Sequence, residues 1–141
     1  MKNIDELLKL QVEYNKLCQR IEPRDGEYTF LTEREDVGVP HVEFANGEYH
    51  YIVTERGIDL ERRSTADLSE ILYWMIYSLT FWMGVEFEFK NRIEGPDSRR
   101  MMFAHWLEQM KKADPAMADR LESDIAKILA KDPFIDHDSS V

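Results

Sequence analysis

Apolar and polar residues alternate on both sides of the dipeptide Asn46-Gly47, and this is the clearest pattern in the chain. Asn-Gly is a strong signal for a two-residue hairpin turn, and a turn of this length fixes the register of the two flanking strands. Residues two apart then share a face of the sheet. The pattern therefore predicts an apolar face that carries Val42, Phe44, Tyr49, Tyr51 and Val53.

A second tight turn at Arg56-Gly57 would add a third strand to this hairpin. If the alternation continues without interruption, Ile58 and Leu60 join the apolar face and Arg63 joins the opposite face. The resulting antiparallel meander would bury one face and leave the other in water. We expect this second face to carry Glu43, Glu48, His50, Asp59 and Glu61.

Helical periodicity predicts about four helices. The first ends before Pro23, and the second is a long, mainly apolar central helix that starts after residue 67, carries Trp82 on its core stripe and runs to Gly95-Pro96. Asp97 and Asp114-Pro115 are typical starts of two more helices. The fold class is thus α+β, with a small antiparallel meander of about three to four strands packed against these helices. We expect one domain over residues 1–134 and a frayed polar tail over residues 135–141.

Composition narrows the possible partners. The net charge of −10 disfavours binding to nucleic acid or to anionic membranes and favours basic partners, although acidity can also serve solubility alone. The longest apolar stretch has about fifteen residues, short of the roughly twenty that span a bilayer. The N-terminus lacks the apolar segment of a signal peptide, and Cys18 is the sole cysteine. These features indicate a protein of the reducing cytoplasm.

No residue pattern indicates catalysis, a metal site or a cofactor. His50 and Glu43 would be cross-strand neighbours and could serve as an acid-base pair, but a surface ion pair is the commoner outcome. Cys18 falls on the apolar stripe of the first helix, which favours a buried thiol over a nucleophile. The basic pairs Arg62-Arg63 and Arg99-Arg100 stand among acids, so we interpret them as ion-pair formers.

Several motifs between residues 49 and 100 form a distinctive series. They are Tyr49-His50-Tyr51-Ile52-Val53-Thr54-Glu55-Arg56-Gly57, Leu60-Glu61-Arg62-Arg63, Asp67-Leu68, Leu72-Tyr73-Trp74 and Arg92-Ile93-Glu94-Gly95-Pro96-Asp97-Ser98-Arg99-Arg100. This series resembles the bacterial Immunity protein 63 family, over roughly residues 49–134. The resemblance implies a non-enzymatic antidote that binds the toxin domain of a polymorphic or contact-dependent toxin system in the producing cell.

Many such toxin domains are basic nucleases, which an acidic surface can attract. We therefore expect the acidic sheet face to meet the toxin, and the protein to be a monomer or a weak homodimer. The motif residues have a structural role in this interpretation; they are Glu55, Arg56, Gly57, Arg63, Trp74, Arg92, Glu94, Asp97, Arg99 and Arg100. Two alternatives remain open, a structural or regulatory protein that self-assembles through its aromatic-rich helices, and a small enzyme that uses His50 and Glu43.

Overall fold

The structure of the protein, a computed structural model, describes residues 2–137 and has an α+β fold. Three antiparallel strands and four helices confirm the predicted fold class. The elements are α1 (Lys2–Ile21), β1 (Val37–Ala45), β2 (Glu48–Glu55), β3 (Ile58–Thr65), α2 (Leu68–Lys90), α3 (Ser98–Ala113) and α4 (Pro115–Lys131). The chain divides into two compact units, Met1–Met75 and Ile76–Val141. That residues 1–134 act as one domain stays a prediction.

The hairpin of β1 and β2 has the predicted register. Phe44 pairs with Tyr49 and Val42 pairs with Tyr51. Asn46 and Gly47 both have positive φ angles, 55° and 76°, as a two-residue turn of this kind requires. Val42, Tyr49 and Tyr51 are all buried, so this face of the hairpin belongs to the core of the first unit.

Strand β3 departs from the predicted register. The turn at Arg56-Gly57 forms and Thr54 pairs with Asp59, but the next pair joins Val53 to Glu61, not to Leu60. Leu60 is thus the extra residue of a β-bulge, and one extra residue reverses the faces of all later side chains. Glu61 and Arg63 therefore lie on the face of Val53 and Tyr51, and the prediction that placed them on the opposite face is wrong.

Two apolar side chains of β3 lie in solvent, Leu60 at the bulge and Ile58 before it, where the pairing with Glu55 is as predicted. Ile58 is 64% exposed and Leu60 is 59% exposed, although the alternation predicted both in the core. Arg63 explains the preference for the shifted register, because its guanidinium lies 4.5 Å from the Trp74 ring and 5.4 Å from the Tyr51 ring. Cation–π contacts of this kind favour the placement of Arg63 on the inner face.

The segment between α1 and β1 is attached to both elements. Asn15 accepts a hydrogen bond from the backbone N–H of Tyr28, and Gln11 donates one to the Tyr28 carbonyl. Phe30 then packs edge-on against Tyr14, at 5.5 Å between ring centroids. Leu31 forms a single parallel bridge to His41. The segment thus passes from α1 to the outer edge of β1.

Trp106 lies at the centre of the second unit. Its ring is buried and contacts Tyr77, Phe81 and Phe103, with centroid distances of 4.8, 5.0 and 5.7 Å. Its indole N–H donates to the Tyr77 carbonyl at 3.2 Å, so the buried polar atom is paired. The aromatic residues of this part of α2 thereby bind α3.

The starts of α3 and α4 have the predicted caps, but α2 ends earlier than predicted. Asp97 and Asp114 accept backbone hydrogen bonds at the starts of α3 and α4, and Pro115 occupies the first turn of α4. Helix α2 ends at Lys90, before the predicted stop at Gly95-Pro96. At this end the Phe87 carbonyl accepts two hydrogen bonds from Asn91, one from its backbone N–H at 3.1 Å and one from its side-chain amide at 2.9 Å.

Within residues 2–137, none of the helices combines the length and apolar character needed to cross a membrane. The predicted tail begins with contacts of its own. The backbone N–H of Ile135 donates to Asp97 at 2.9 Å, and that of His137 donates to the Gly95 carbonyl. Residues 138–141 lie outside the described residues, and fraying of the tail stays a prediction.

Gly84 yields a testable prediction about the packing of α2 on α3. A Cβ atom at this position would stand 2.6 Å from the Met102 carbonyl oxygen and 3.3 Å from the Trp106 Cβ atom. Alanine normally stabilises a helix interior by about 1 kcal/mol relative to glycine, but overpacking costs roughly 1–3 kcal/mol. We expect Gly84→Ala to lower the free energy of unfolding by about 1 kcal/mol in urea denaturation. Ser123→Ala, at an exposed position of α4, is the matched control and should be neutral or slightly stabilising. A Gly84→Ala protein as stable as the parent would contradict the close approach.

Candidate functional site

One face of the sheet, which we call the polar face, carries most of the residues predicted to contact a partner. Glu43 and His50 pair across β1 and β2, and Glu48 lies on the same face as His50. Asp59 pairs with Thr54 on this face too. The fifth predicted residue, Glu61, lies on the opposite face, where it forms an ion pair with Arg63 at 3.6 Å. The structure thus brings four of the five residues together. The prediction that this whole face lies in water is wrong, because His41, Ile52 and Thr54 on the same face are buried.

The two histidines of the hairpin have separate hydrogen-bond partners. Glu43 Oε2 lies 2.7 Å from Nε2 of His41, whose side chain is buried. His50 Nδ1 lies 2.6 Å from the Ser64 hydroxyl, and its Nε2 lies 3.2 Å from the Ala45 carbonyl. The hydrogen bond of Glu43 therefore goes to His41. Although Glu43 and His50 are cross-strand neighbours, their side chains do not form the hydrogen bond on which the enzyme alternative depends.

Two arginines reduce the negative charge near the polar face. Arg62 contacts Asp59 at 3.1 Å, and Arg34 contacts Asp36 at 2.7 Å. The Arg34 hydrogen bond lowers the pKa of the Asp36 carboxyl, which stays ionised at neutral pH. The charge of Arg34 also acts on Asp59 and Glu43. Four carboxylates, Asp36, Glu43, Glu48 and Asp59, stand against these two arginines, so a moderate excess of negative charge remains.

The acidity of the chain is concentrated in its first unit. Residues 1–75 contain nine Lys and Arg against sixteen Asp and Glu, whereas residues 76–141 contain nine against twelve. The negative field of the chain thus originates mainly from the unit that contains the polar face.

The first group of motif residues lies at the turn between β2 and β3 and beside it. Glu55 pairs with Ile58 and closes the turn, and Arg56 and Gly57 occupy it with positive φ angles of 52° and 81°. The Arg56 N–H also donates to the Asp36 carbonyl at 3.2 Å. Arg63 and Trp74 form the cation–π contact described above. These contacts support a structural role for the group.

The second group lies between α2 and α3. Arg92 binds the buried carboxylate of Glu88 through two nitrogen atoms, each at 3.0 Å. Asp97 accepts hydrogen bonds from the backbone N–H groups of Arg99 and Ile135, both at 2.9 Å. Glu94 is exposed in the loop before them. The loop between the two helices is therefore held mainly by charged side chains.

We call the contacts between Asp97, Arg99, Arg100 and residues 132–136 the terminal clasp. Arg99 donates to the carbonyls of Asp132 and Pro133 at 2.9 and 2.8 Å. Arg100 and Asp136 form a bidentate ion pair, in which two nitrogen atoms of Arg100 each lie 2.8 Å from a carboxylate oxygen. Phe134 lies beneath the guanidinium of Arg100 at 4.2 Å. The clasp fixes the chain after α4 to the start of α3 and confirms that Arg99-Arg100 form ion pairs.

Cys18 is buried, and burial raises the pKa of its thiol to about 11, so the thiolate is scarce at neutral pH. Among the described residues, no group of three or more His, Cys, Asp and Glu side chains could hold a metal ion.

Sequence analysis missed the two most exposed aromatic residues on α2. Trp82 is 64% exposed, although periodicity placed it on the core stripe, and Phe89 is 72% exposed. Because α2 is apolar on nearly all sides, its periodicity gave no signal for which side faces solvent. The charged residue between the two, Glu86, was the available indication of an exposed face.

The model of the Immunity protein 63 family matches residues 45–127. The chain belongs to the Immunity protein 63 family. The family implies an immunity protein of a toxin system, generally without enzymatic activity and with a toxin as its partner. The match includes β2, β3, α2 and α3, and with them all the motif residues, whereas α1 and nearly all of β1 precede it. Comparisons of this Immunity protein 63 member with curated proteins and with solved structures returned no match.

The terminal clasp generates a prediction about pH. The hydrogen bonds of Asp97, above all those from Arg99, hold the pKa of its carboxyl far below the ordinary value of 3.8. A carboxyl with a depressed folded pKa stabilises the fold above its unfolded pKa, and this contribution is lost as the pH falls below about 4. We expect Asp97→Asn to lower Tm by several degrees near pH 7, and the difference from the parent to shrink between pH 4 and pH 2. Thermal unfolding across this range tests it.

The matched control is Asp119→Asn, an exposed position on α4. Its Tm difference from the parent should be small at every pH. A constant Tm difference for Asp97→Asn between pH 7 and pH 2 would contradict an ionic role for Asp97.

Proposed function

We propose that this protein neutralises a cognate toxin domain of a bacterial polymorphic or contact-dependent toxin system by forming a stoichiometric complex with it. Binding takes place in the cytoplasm of the producing cell, and no chemical step is required of the protein itself. The observation that carries the proposal is the family match over residues 45–127. A basic nuclease is the form of toxin that best fits an acidic inhibitor.

The polar face supplies the electrostatic part of this function. It is built on paired strands, so Glu43, Glu48 and Asp59 project from a rigid surface. Rigid charged groups accelerate encounter with a partner of opposite charge and align it before contact. They contribute less to the lifetime of the complex, because exposed charges are largely screened by salt.

Self-assembly is the second candidate function, and the exposure of Trp82 and Phe89 is the observation that favours it. Large exposed aromatic side chains are common at contacts between proteins. Light scattering over a range of protein concentrations separates the candidates. A monomer at all concentrations would exclude self-assembly through these residues.

Co-expression with the toxin domain encoded beside the gene tests the proposed function. We expect cells to survive induction of the toxin only when the immunity protein is present, and the two proteins to co-purify at one to one. Cell death despite abundant folded immunity protein would refute the proposal.

Charge reversal tests the role of the polar face. The triple variant Glu43→Lys, Glu48→Lys, Asp59→Lys should lower the association rate constant with the toxin domain by about tenfold or more at low salt. Its dissociation rate should change much less. Stopped-flow measurements at several salt concentrations give both rates, and the difference from the parent should shrink as salt rises.

Glu61→Lys is the matched control, since Glu61 lies on the opposite face of the sheet. It changes the charge at one position of the same sheet and should leave the association rate close to that of the parent. Equal association rates for the triple variant and the parent, with folding intact, would assign steering to another surface.

A further inference from the structure

Three residues of α2, Trp82, Glu86 and Phe89, form a continuous exposed surface that we call the aromatic stripe. They are spaced by four and three positions, so they lie next to one another along one side of the helix. Glu86 therefore lies between the two aromatic residues on the helix surface. All three side chains are exposed, the two aromatic ones by more than three-fifths.

Two neighbouring aromatic residues of the same helix pack against side chains of α3. Phe81 packs against Trp106 at 5.0 Å, and Phe87 is stacked on His105 at 4.0 Å with nearly parallel rings. Trp82 contacts Phe81 only at its edge, and Phe89 lies near the guanidinium of Arg92, at 5.6 Å. Both rings thus keep most of their surface available for a partner.

We propose that the aromatic stripe is the anchor for the toxin and that it takes an arginine side chain of the toxin surface. The guanidinium would lie against the rings of Trp82 and Phe89 and bind the Glu86 carboxylate. This inference rests on the proposed function, because it names the partner group that the immunity protein holds.

The chemistry of the stripe is matched to a guanidinium. Trp is the best aromatic partner for a cation, and a cation–π contact strengthens when it is shielded from water. A carboxylate adds a charge-assisted hydrogen bond, and arginine can satisfy it with two N–H groups at once. The contact of Arg92 with Phe89 already pairs a guanidinium with one of these rings.

The present partner of Glu86 is easily replaced. Lys90 binds Glu86 at 2.6 Å within the helix, and both side chains are about two-thirds exposed. An exposed ion pair of this kind contributes little to stability, so exchange of Lys90 for an arginine of the partner costs little. The helix thus holds Trp82, Glu86 and Phe89 in place, and Lys90 does not prevent a partner from reaching Glu86.

A second copy of this chain is a poorer occupant. Glu86 stands at the centre of the stripe, so a two-fold symmetric contact centred there would bring two Glu86 carboxylates together. Trp82 and Phe89 together offer only about 300 Å² of exposed aromatic surface. A stable interface needs roughly 800 Å² from each partner, so the stripe must be the central part of a larger, asymmetric contact.

Affinity measurements on the folded full-length protein test the proposal. The probe is the toxin domain encoded beside the gene, and the readout is Kd by calorimetry or interferometry. We expect Trp82→Ala and Phe89→Ala each to weaken Kd by about 30-fold or more, as aromatic anchors do. We expect Glu86→Lys to weaken Kd further and Lys90→Ala to leave it unchanged or tighter.

The control and the salt dependence make the test specific. Val12→Ala removes an exposed apolar side chain from α1 and should leave Kd unchanged. Glu86→Gln should reduce the slope of log Kd against log salt, because one ion pair with the toxin is lost. Since all altered residues are exposed, circular dichroism and Tm should match the parent.

The outcomes separate this inference from the proposed function. A parent that fails to bind the toxin domain refutes both. A parent that binds while the Trp82, Phe89 and Glu86 variants bind equally well overturns the anchor and leaves the immunity function standing. A parent that dimerises through the stripe, with toxin affinity unaffected by Trp82→Ala, assigns the stripe to self-association and also overturns the anchor.

Discussion

The position of Arg63 against Tyr51 and Trp74 sets which side chains of β3 after the bulge lie on each face of the sheet. Side chains on a strand alternate between two faces, so the position of one residue sets the faces of its neighbours. With Arg63 on the inner face, Glu61 must share that face and Leu60 must become the bulge. The composition of the polar face follows directly. It keeps Glu43, Glu48, His50 and Asp59 and loses Glu61.

In the first unit, backbone hydrogen bonds between strands hold distant segments together. In the second unit, charged side chains do this. Helix α3 begins at Asp97, whose carboxylate also receives the N–H of Ile135, so one residue joins a helix start to the end of the chain. Arg99 and Arg100 add carbonyl and carboxylate contacts to the same segment. Because these groups satisfy one another, the loop that contains most of the later motif residues offers few unpaired charges to a partner. This is the physical reason for assigning these residues to structure and assigning recognition elsewhere.

Local signals predicted most of the fold. Asn46-Gly47 determined the hairpin register because turn length leaves one solution, and Asp97 and Asp114-Pro115 marked helix starts because a cap is a contact over two or three residues. The β-bulge was not predictable from alternation, since it depends on a contact between Arg63 and a residue of another element. For the same reason, the apolar pattern of α2 could not separate the half-buried Phe81 side from the exposed Trp82 side. The candidate-site residues of the hairpin were thus predicted correctly, because neighbouring residues in the sequence fix their positions. Glu61, Trp82 and Phe89 were misplaced or missed, because tertiary contacts fix theirs.

The bulge in β3 has a further consequence for the behaviour of the protein at high concentration. Within residues 2–137, β3 is the last strand of the sheet order, so its outer edge has no strand beside it. An uncovered edge with Ile58 and Leu60 exposed is a template for intermolecular strand pairing and aggregation. The bulge twists this edge, and the charged run from Glu61 to Arg63 adds a penalty for any strand that approaches. The β-bulge that removes Glu61 from the polar face therefore also disfavours amyloid-like strand addition at the edge of the sheet.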